Sequence, residues 1–164
     1  MKLIGYWMTD QHDTRLPLPQ ELVGELSAAI RDRVCGYLTA GELFEQYRGL
    51  SWCRFRCGAA DREMGFREFT DGEWVWPEGL VHYVRHHGIV LPEEFLASAT
   101  SDRSVAKAEE GDVSLDFWLN WTASWRPAVI REHRATAPAD ARAVAPALIE
   151  QIVDEIRKRE LKSD

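Results

Sequence analysis

The chain has no apolar run long enough to cross a bilayer. No window approaches the ~18 uninterrupted apolar residues that a spanning helix needs, so no membrane segment is expected. A basic surplus is also missing. Twenty Lys and Arg stand against 27 Asp and Glu, for a formal charge of −7. Phosphate-backbone binding requires a basic footprint, so nucleic acid is not expected as a partner. Cysteine is scarce and odd in number, at Cys35, Cys53 and Cys57. The run from Met1 to Trp7 is too short for the apolar core of a signal peptide, and Asp10 follows closely. The expectation is therefore a reducing, cytoplasmic setting with thiols that are free or metal-bound. There is no internal repeat, and no catalytic motif stands out.

What remains is the composition of a globular protein: 164 residues, 45% apolar and 29% charged, with seven tryptophans. So many Trp side chains imply either a Trp-rich core or an aromatic binding surface. Residues 1–130 read as one α+β domain. Residues 131–145, where Ala alternates and Pro138 interrupts, read as a linker or arm. Residues 146–164 carry Leu148, Ile149, Ile152, Val153 and Ile156 on one helical stripe, which would pack on the domain or form a homodimer.

Within the domain, Lys2 to Trp7 suits a short strand. Pro19 opens a helix whose apolar stripe is Leu22, Val23, Leu26, Ile30 and Val34, with Gly36 and Gly41 marking its end. Glu42 to Gly49 shows no clear period and reads as a further helical turn. Ser51 to Cys57 alternates, Cys53, Phe55 and Cys57 against Trp52, Arg54 and Arg56, as a half-buried strand does. Met64 to Thr70 and Glu73 to Trp76 flank Asp71-Gly72, a two-residue hairpin signal. That register sets Phe69 opposite Trp74 and Arg67 opposite Trp76. Pro77 opens a central helix with Glu78 near its positive end, and Gly88 closes it. Pro92 starts another. Residues 112–125 fit either period, but Ser114 with Asp116 looks like a cap and favours a helix. The expected architecture is thus a three- to four-stranded antiparallel meander (about 51–57, 64–70 and 73–76, with the N-terminal strand) packed with N-terminal, central and C-terminal helices.

Four groups of residues carry candidate chemistry. Cys53-x3-Cys57 followed by His82-x3-His86 offers two thiolates and two imidazoles, the donor set of tetrahedral zinc. The 24 residues between the pairs match no common finger. Helix phase puts His82 and His86 on the side away from Leu80 and Val84, so the ordinary alternative is two small buried cysteines beside histidines that complement a helix end. A thiol nucleophile at Cys53 or Cys57 would be activated by Arg54 and Arg56, but the alternation turns those arginines to the opposite face. Acid–base chemistry by Asp71, Glu73 or Glu78 competes with turn and cap roles for Asp71 and Glu78, and His12 with Asp13 forms a common loop pair. Finally, Trp52, Arg54, Arg56, Arg67, Trp74 and Trp76 constitute a Trp/Arg binding surface, made of the residue types enriched at interface hot spots.

The stretches Tyr47-Arg-Gly-Leu-Ser-Trp-Cys-Arg-Phe55, Thr70-Asp-Gly-Glu-Trp-Val-Trp-Pro-Glu-Gly-Leu80 with His82-Tyr-Val84, and Leu91-Pro92 with Phe95 resemble a group of uncharacterised bacterial proteins. The similarity covers about residues 47–96, with Gly5-Tyr-Trp7 a weaker match, and it implies no activity. Members of that group often carry Cys-x2-Cys-Gly where this chain has Cys53-Arg-Phe-Arg-Cys57-Gly58, so the inserted residue implies either a weaker metal site or a bulge that realigns Cys57. The sequence as a whole favours a small acidic accessory domain, not an enzyme, that binds another protein through the Trp/Arg surface in the manner of an immunity protein. A zinc-binding module is the second reading, and an enzyme of unassigned chemistry the third.

Overall fold

A computed structural model describes residues 1–8, 15–101 and 112–125. The chain divides into two units, Met1–Arg126 and Pro127–Asp164, and every described residue lies in the first. The expected linker (131–145), the C-terminal helix (146–164) and the His12/Asp13 pair lie outside the described residues.

The fold is α+β, built on a four-stranded mixed sheet in the order β1-β4-β3-β2. Its strands are β1 (Lys2–Leu3), β2 (Glu42–Gln46), β3 (Arg67–Thr70) and β4 (Trp74–Pro77). β3 pairs antiparallel with both β2 and β4, while β1 lies parallel to β4. Helix α1 (Ala28–Ala40) precedes β2, the single turn α2 (Asp61–Met64) precedes β3, and α3 (Leu80–His87) and α4 (Glu93–Thr100) follow β4. Residues 116–125 form a further helix, α5, as the Ser114/Asp116 cap predicts. Ser114 Oγ accepts from the Asp116 amide at 3.1 Å. No helix among the described residues is long and apolar enough to cross a membrane.

Several expectations are corrected. The segment 51–57 is not a strand, and the third antiparallel strand is 42–46 instead. Backbone accounting explains this. Gly49 and Gly58 take positive φ, Arg56 does so without being glycine (φ 50°), and its amide bonds back to the Cys53 carbonyl at 2.9 Å. That is a turn, and a turn cannot lie in a ladder. The first helix begins later than Pro19, because Ser27 caps it by accepting from the Ile30 amide at 3.4 Å, and Pro19–Leu22 is a separate 3-10 turn. Its end is at Gly41, where a Cβ would lie 2.5 Å from Trp76 Cζ2.

The hairpin register also differs, with Phe69 opposite Trp76 and Thr70 opposite Val75. The Asp71 side chain lengthens the connection. Its Oδ1 accepts from the Glu73 and Trp74 amides at 2.8 and 2.7 Å, and its Oδ2 from the Tyr37 hydroxyl at 2.5 Å. A shift of two residues keeps the same side chains on the same face, and that face is buried. Trp74 and Trp76 sit with Phe95, Leu80, Tyr83 and Trp118 in the core, each at 2% exposure or less.

The start of α3 is tied to the sheet through Glu78, whose Oε2 accepts from the Phe66 and Arg67 amides at 3.1 and 3.3 Å and whose carboxylate pairs with the Arg67 guanidinium. A Cβ on Gly65 would overlap that carboxylate, at 1.9 Å, and Gly65 has φ +68°. The Arg67 hydrogen bond holds the Glu78 carboxyl below the usual carboxylate range. A depressed folded-state pKa gives stability that is present above the unfolded value and lost as pH falls through the folded one. Glu78→Gln is therefore expected to cost about 1 kcal/mol at neutral pH, mainly through the lost charge-assisted backbone bonds. Its melting curve should converge on wild type as pH falls through the depressed folded-state value. A gap between the two proteins that stays constant down to acid pH would show that the carboxylate charge contributes nothing.

Candidate metal centre

The turn at Cys53–Arg56 carries the two cysteines to the C-terminal end of α3. Cys53 Sγ lies 3.3 Å from His87 Nε2 and Cys57 Sγ 3.4 Å from His82 Nε2, and the two Nε2 atoms are 3.2 Å apart. All four donor atoms fall within 4.8 Å of one another. Cys53 and His82 are buried, His87 is half-buried and Cys57 is exposed. Bond lengths of roughly 2.3 Å to sulfur and 2.05 Å to nitrogen imply tetrahedron edges of about 3.3–3.8 Å, close to the three spacings above. The four residues could hold a metal ion.

The spacing of the sequence points to His86; the structure puts His87 there. His86 is exposed and stands outside the group, its ring centroid 4.9 Å from that of His82. The loop 51–58 lies along the Tyr83/His87 side of α3, since the Arg54 amide donates to Tyr83 Oη at 3.0 Å and the Phe55 ring stacks on His87 at 4.0 Å and 5°. His87 thus faces Cys53. The same loop covers His82, which helix phase alone assigns to the outer side. The only signal for His87 in the sequence is the His86-His87 doublet, and choosing between its members requires knowing where the loop runs. Arg56, between the two cysteines, takes a positive φ (50°), a conformation that costs a side-chain-bearing residue on the order of 1–2 kcal/mol.

Burial, and next the neighbouring His86, hold His82 below the ordinary histidine range, and burial and His86 do the same for His87. Both imidazoles are thus biased towards the neutral form that ligates metal. Burial pushes the Cys53 thiol up. With no cation present, each thiol can pair with one imidazole, but the two Nε2 atoms are then left facing each other. A cation satisfies all four donors together.

A raised Cys53 pKa is the opposite of what a thiol nucleophile needs. Arg54 does not serve it, because its guanidinium lies 4.6 Å over the Trp52 ring and donates to Ser51 Oγ at 2.9 Å and the Trp52 carbonyl at 2.6 Å. The acid–base candidates are held by structural bonds: Asp71 in its turn, Glu78 at the start of α3, and Glu73 in an ion pair with Lys2 at 2.9 Å. The six-residue Trp/Arg surface is not one surface. Trp74 and Trp76 are core residues and Arg67 is engaged by Glu78, which leaves Trp52, Arg54 and the exposed Arg56 on the loop of the candidate metal centre.

That loop borders a cleft. Exposed Tyr47, Leu50, Trp52 and Phe66 surround a hollow of about 340 Å³, and a second hollow of about 210 Å³ adjoins it through Ser51, Arg54, Met64 and Pro77. The buried Glu68 carboxylate accepts from the Tyr6 hydroxyl at 2.5 Å and the Tyr47 hydroxyl at 3.1 Å. Burial and Glu68 push both phenols far above their ordinary pKa, so both hold their protons as donors. Reading the sequence does not find this cluster, because Tyr6, Tyr47 and Glu68 are far apart in the chain and share no motif. Comparison of the chain with protein-family models, with curated proteins and with solved structures finds no match.

Proposed function

We propose that this chain is a small zinc-stapled binding domain. The ion would be held by Cys53, Cys57, His82 and His87 and would fix the loop that carries Trp52 and Arg54. The observation that supports this reading is the meeting of two thiols and two imidazole Nε2 atoms within 4.8 Å, from a turn and a helix end 24 residues apart in sequence. Four protein donors fill a tetrahedral shell and leave no open position for substrate, which is the pattern of a structural ion and not a catalytic one. The exposed aromatic side chains around the adjoining cleft favour binding over chemistry, in keeping with the accessory role that charge and Trp content suggest.

Metal analysis of untagged protein should return close to one zinc per chain. Replacement by Co²⁺ should give the visible bands of a tetrahedral site and thiolate charge transfer in the near ultraviolet. His87→Ala should abolish both signals, while His86→Ala leaves stoichiometry unchanged. Stoichiometry near zero in the wild type would remove the zinc reading, and loss with His86→Ala instead of His87→Ala would overturn the ligand set.

A further inference from the structure

The two adjoining hollows have opposite unmet needs. In the inner one the only charged wall residue among the described residues is Arg54. Arg54 Nε is buried without a hydrogen-bond partner, and so is Trp7 Nε1, on a side chain 5% exposed that lines the same hollow. A buried donor left unpaired costs about 1–3 kcal/mol, and two beside one small cavity call for an acceptor there. The guanidinium adds a full positive charge, so the acceptor that fits best is an oxyanion.

The outer hollow holds a buried carboxylate. Glu68 is 8% exposed, and among the described residues the groups that donate to it are the neutral Tyr6 and Tyr47 hydroxyls. Tyr47 Oη also lies 3.1 Å from Glu45 Oε2, so its one proton is shared between two carboxylates. A carboxylate has about four lone-pair positions, and two remain on Glu68. A buried carboxylate with no cationic partner is costly, and a ligand ammonium would offset that cost. Arg48, Arg54 and Arg67 line the same hollow, but Arg67 is committed to Glu78, Arg54 bonds Ser51 and the Trp52 carbonyl, and none of the three donates to Glu68. The apolar surface between the two ends comes from Trp52, Phe66, Met64 and Pro77.

We propose that this double hollow is a binding site for a small zwitterion of the amino-acid type. Its carboxylate is taken by Arg54 and Trp7, its ammonium by Glu68, and its apolar or aromatic body lies along Trp52 and Phe66. The proposal rests on reading the chain as a binding domain. It does not require the metal, although Cys53 lies between Trp52 and Arg54, and an ion there would hold the carboxylate end in place.

The test is calorimetric titration of the full chain with phenylalanine, 3-phenylpropionate and phenethylamine, with zinc content measured on the same samples. Phenylalanine should bind saturably at one site, and each one-ended analogue should bind at least about tenfold more weakly, as expected when a buried charged partner is left unpaired. Glu68→Gln should bring phenylalanine down to the level of 3-phenylpropionate, and Trp7→Phe should weaken phenylalanine without changing phenethylamine. Thermal melting of both variants checks that they fold. If Trp7→Phe fails to, Arg54→Lys, on the partly exposed rim, replaces it as the probe of the carboxylate end; if Glu68→Gln fails to, the comparison of phenylalanine with 3-phenylpropionate on the wild type tests the ammonium end.

No saturable binding of any of the three compounds to folded protein that holds its zinc would overturn the ligand proposal alone, with the hollows holding only water. Equal affinity for phenylalanine and 3-phenylpropionate would overturn the role of Glu68. Binding to protein that contains no zinc would uphold the ligand site while removing the zinc reading.

Discussion

With the proposed ion bound, stripping it with a strong chelator is expected to lower the thermal midpoint by roughly 15 °C, and Cys53→Ser should reproduce that loss without the chelator. The size follows from linkage. An ion that binds only the folded state, at a free concentration 1,000 times its dissociation constant, stabilises by about 4.1 kcal/mol, and a domain of this size shifts by about 4 °C per kcal/mol. Beyond the cysteine–histidine contacts, the loop 51–58 pairs with no strand among the described residues and is tied by the Arg54–Tyr83 bond, the Phe55–His87 stack, the Ser51 amide to the Gly65 carbonyl at 2.9 Å and the Gln20 side chain to the Arg54 carbonyl at 3.1 Å. Its order should therefore depend on the ion more than that of the sheet does, and proteolysis of the chelated protein should begin there. Cys35→Ala is the control. Cys35 is buried in α1 and outside the donor group, so its loss should cost packing but leave metal stoichiometry intact.

Acid should release the ion. The two imidazoles, held below the ordinary histidine range by burial, stay neutral further into acid than free histidine does, whereas the Cys53 thiol, pushed up by burial, must lose its proton for metal to bind. Affinity therefore falls as pH decreases. A midpoint insensitive to both chelator and Cys53→Ser would mean that no ion contributes to stability.

The parts of this arrangement that were legible in the sequence are those set by local chemistry. Gly88 closes α3 in the left-handed conformation (φ 62°), with the Ile89 amide returning to the Tyr83 carbonyl at 3.3 Å, whereas Pro77, expected as the first helical residue, is the last residue of β4 and α3 begins at Leu80. Three of the four donors of the candidate metal centre were legible as well, since Cys53, Cys57 and His82 belong to the spacing pattern. The rest depended on tertiary contacts. Alternation in 51–57 imitates a strand in the sequence alone: in the turn Trp52 is exposed and Cys53 buried, but Cys57, expected on the buried face with Cys53, is exposed. The edge strand Glu42–Gln46 has no such period to show, being largely solvent-exposed along its length. His87 displaces His86 because of where the loop crosses α3, and no spacing rule contains that information. The hairpin slipped by two residues because the Asp71 side chain competes for the amides that a tight turn would use.

Trp76→Ala is expected to destabilise the fold by about 3–5 kcal/mol, whereas Trp52→Ala, a residue of the same type from the same proposed surface, should stay within about 1 kcal/mol of wild type. Trp76 is 1% exposed and Trp52 43% exposed. Trp76 packs on Phe95 at 5.8 Å and on Tyr37 at 6.0 Å, fills the space that Gly41 leaves by having no Cβ, and donates from Nε1 to the Leu38 carbonyl at 3.1 Å. That carbonyl lies in the last turn of α1, where helix geometry supplies no partner, so truncation leaves a cavity and an unpaired acceptor together. Trp52 loses only the Arg54 ring contact at 4.6 Å, on a surface where such pairs contribute about 0.5–1 kcal/mol. Urea denaturation of both variants with unchanged slope would measure the difference directly. Near-equal costs would mean that the sheet face of Trp76 is not the core of the domain. A large cost at Trp52 accompanied by loss of zinc would place that ring among the supports of the metal loop instead of on a free binding surface.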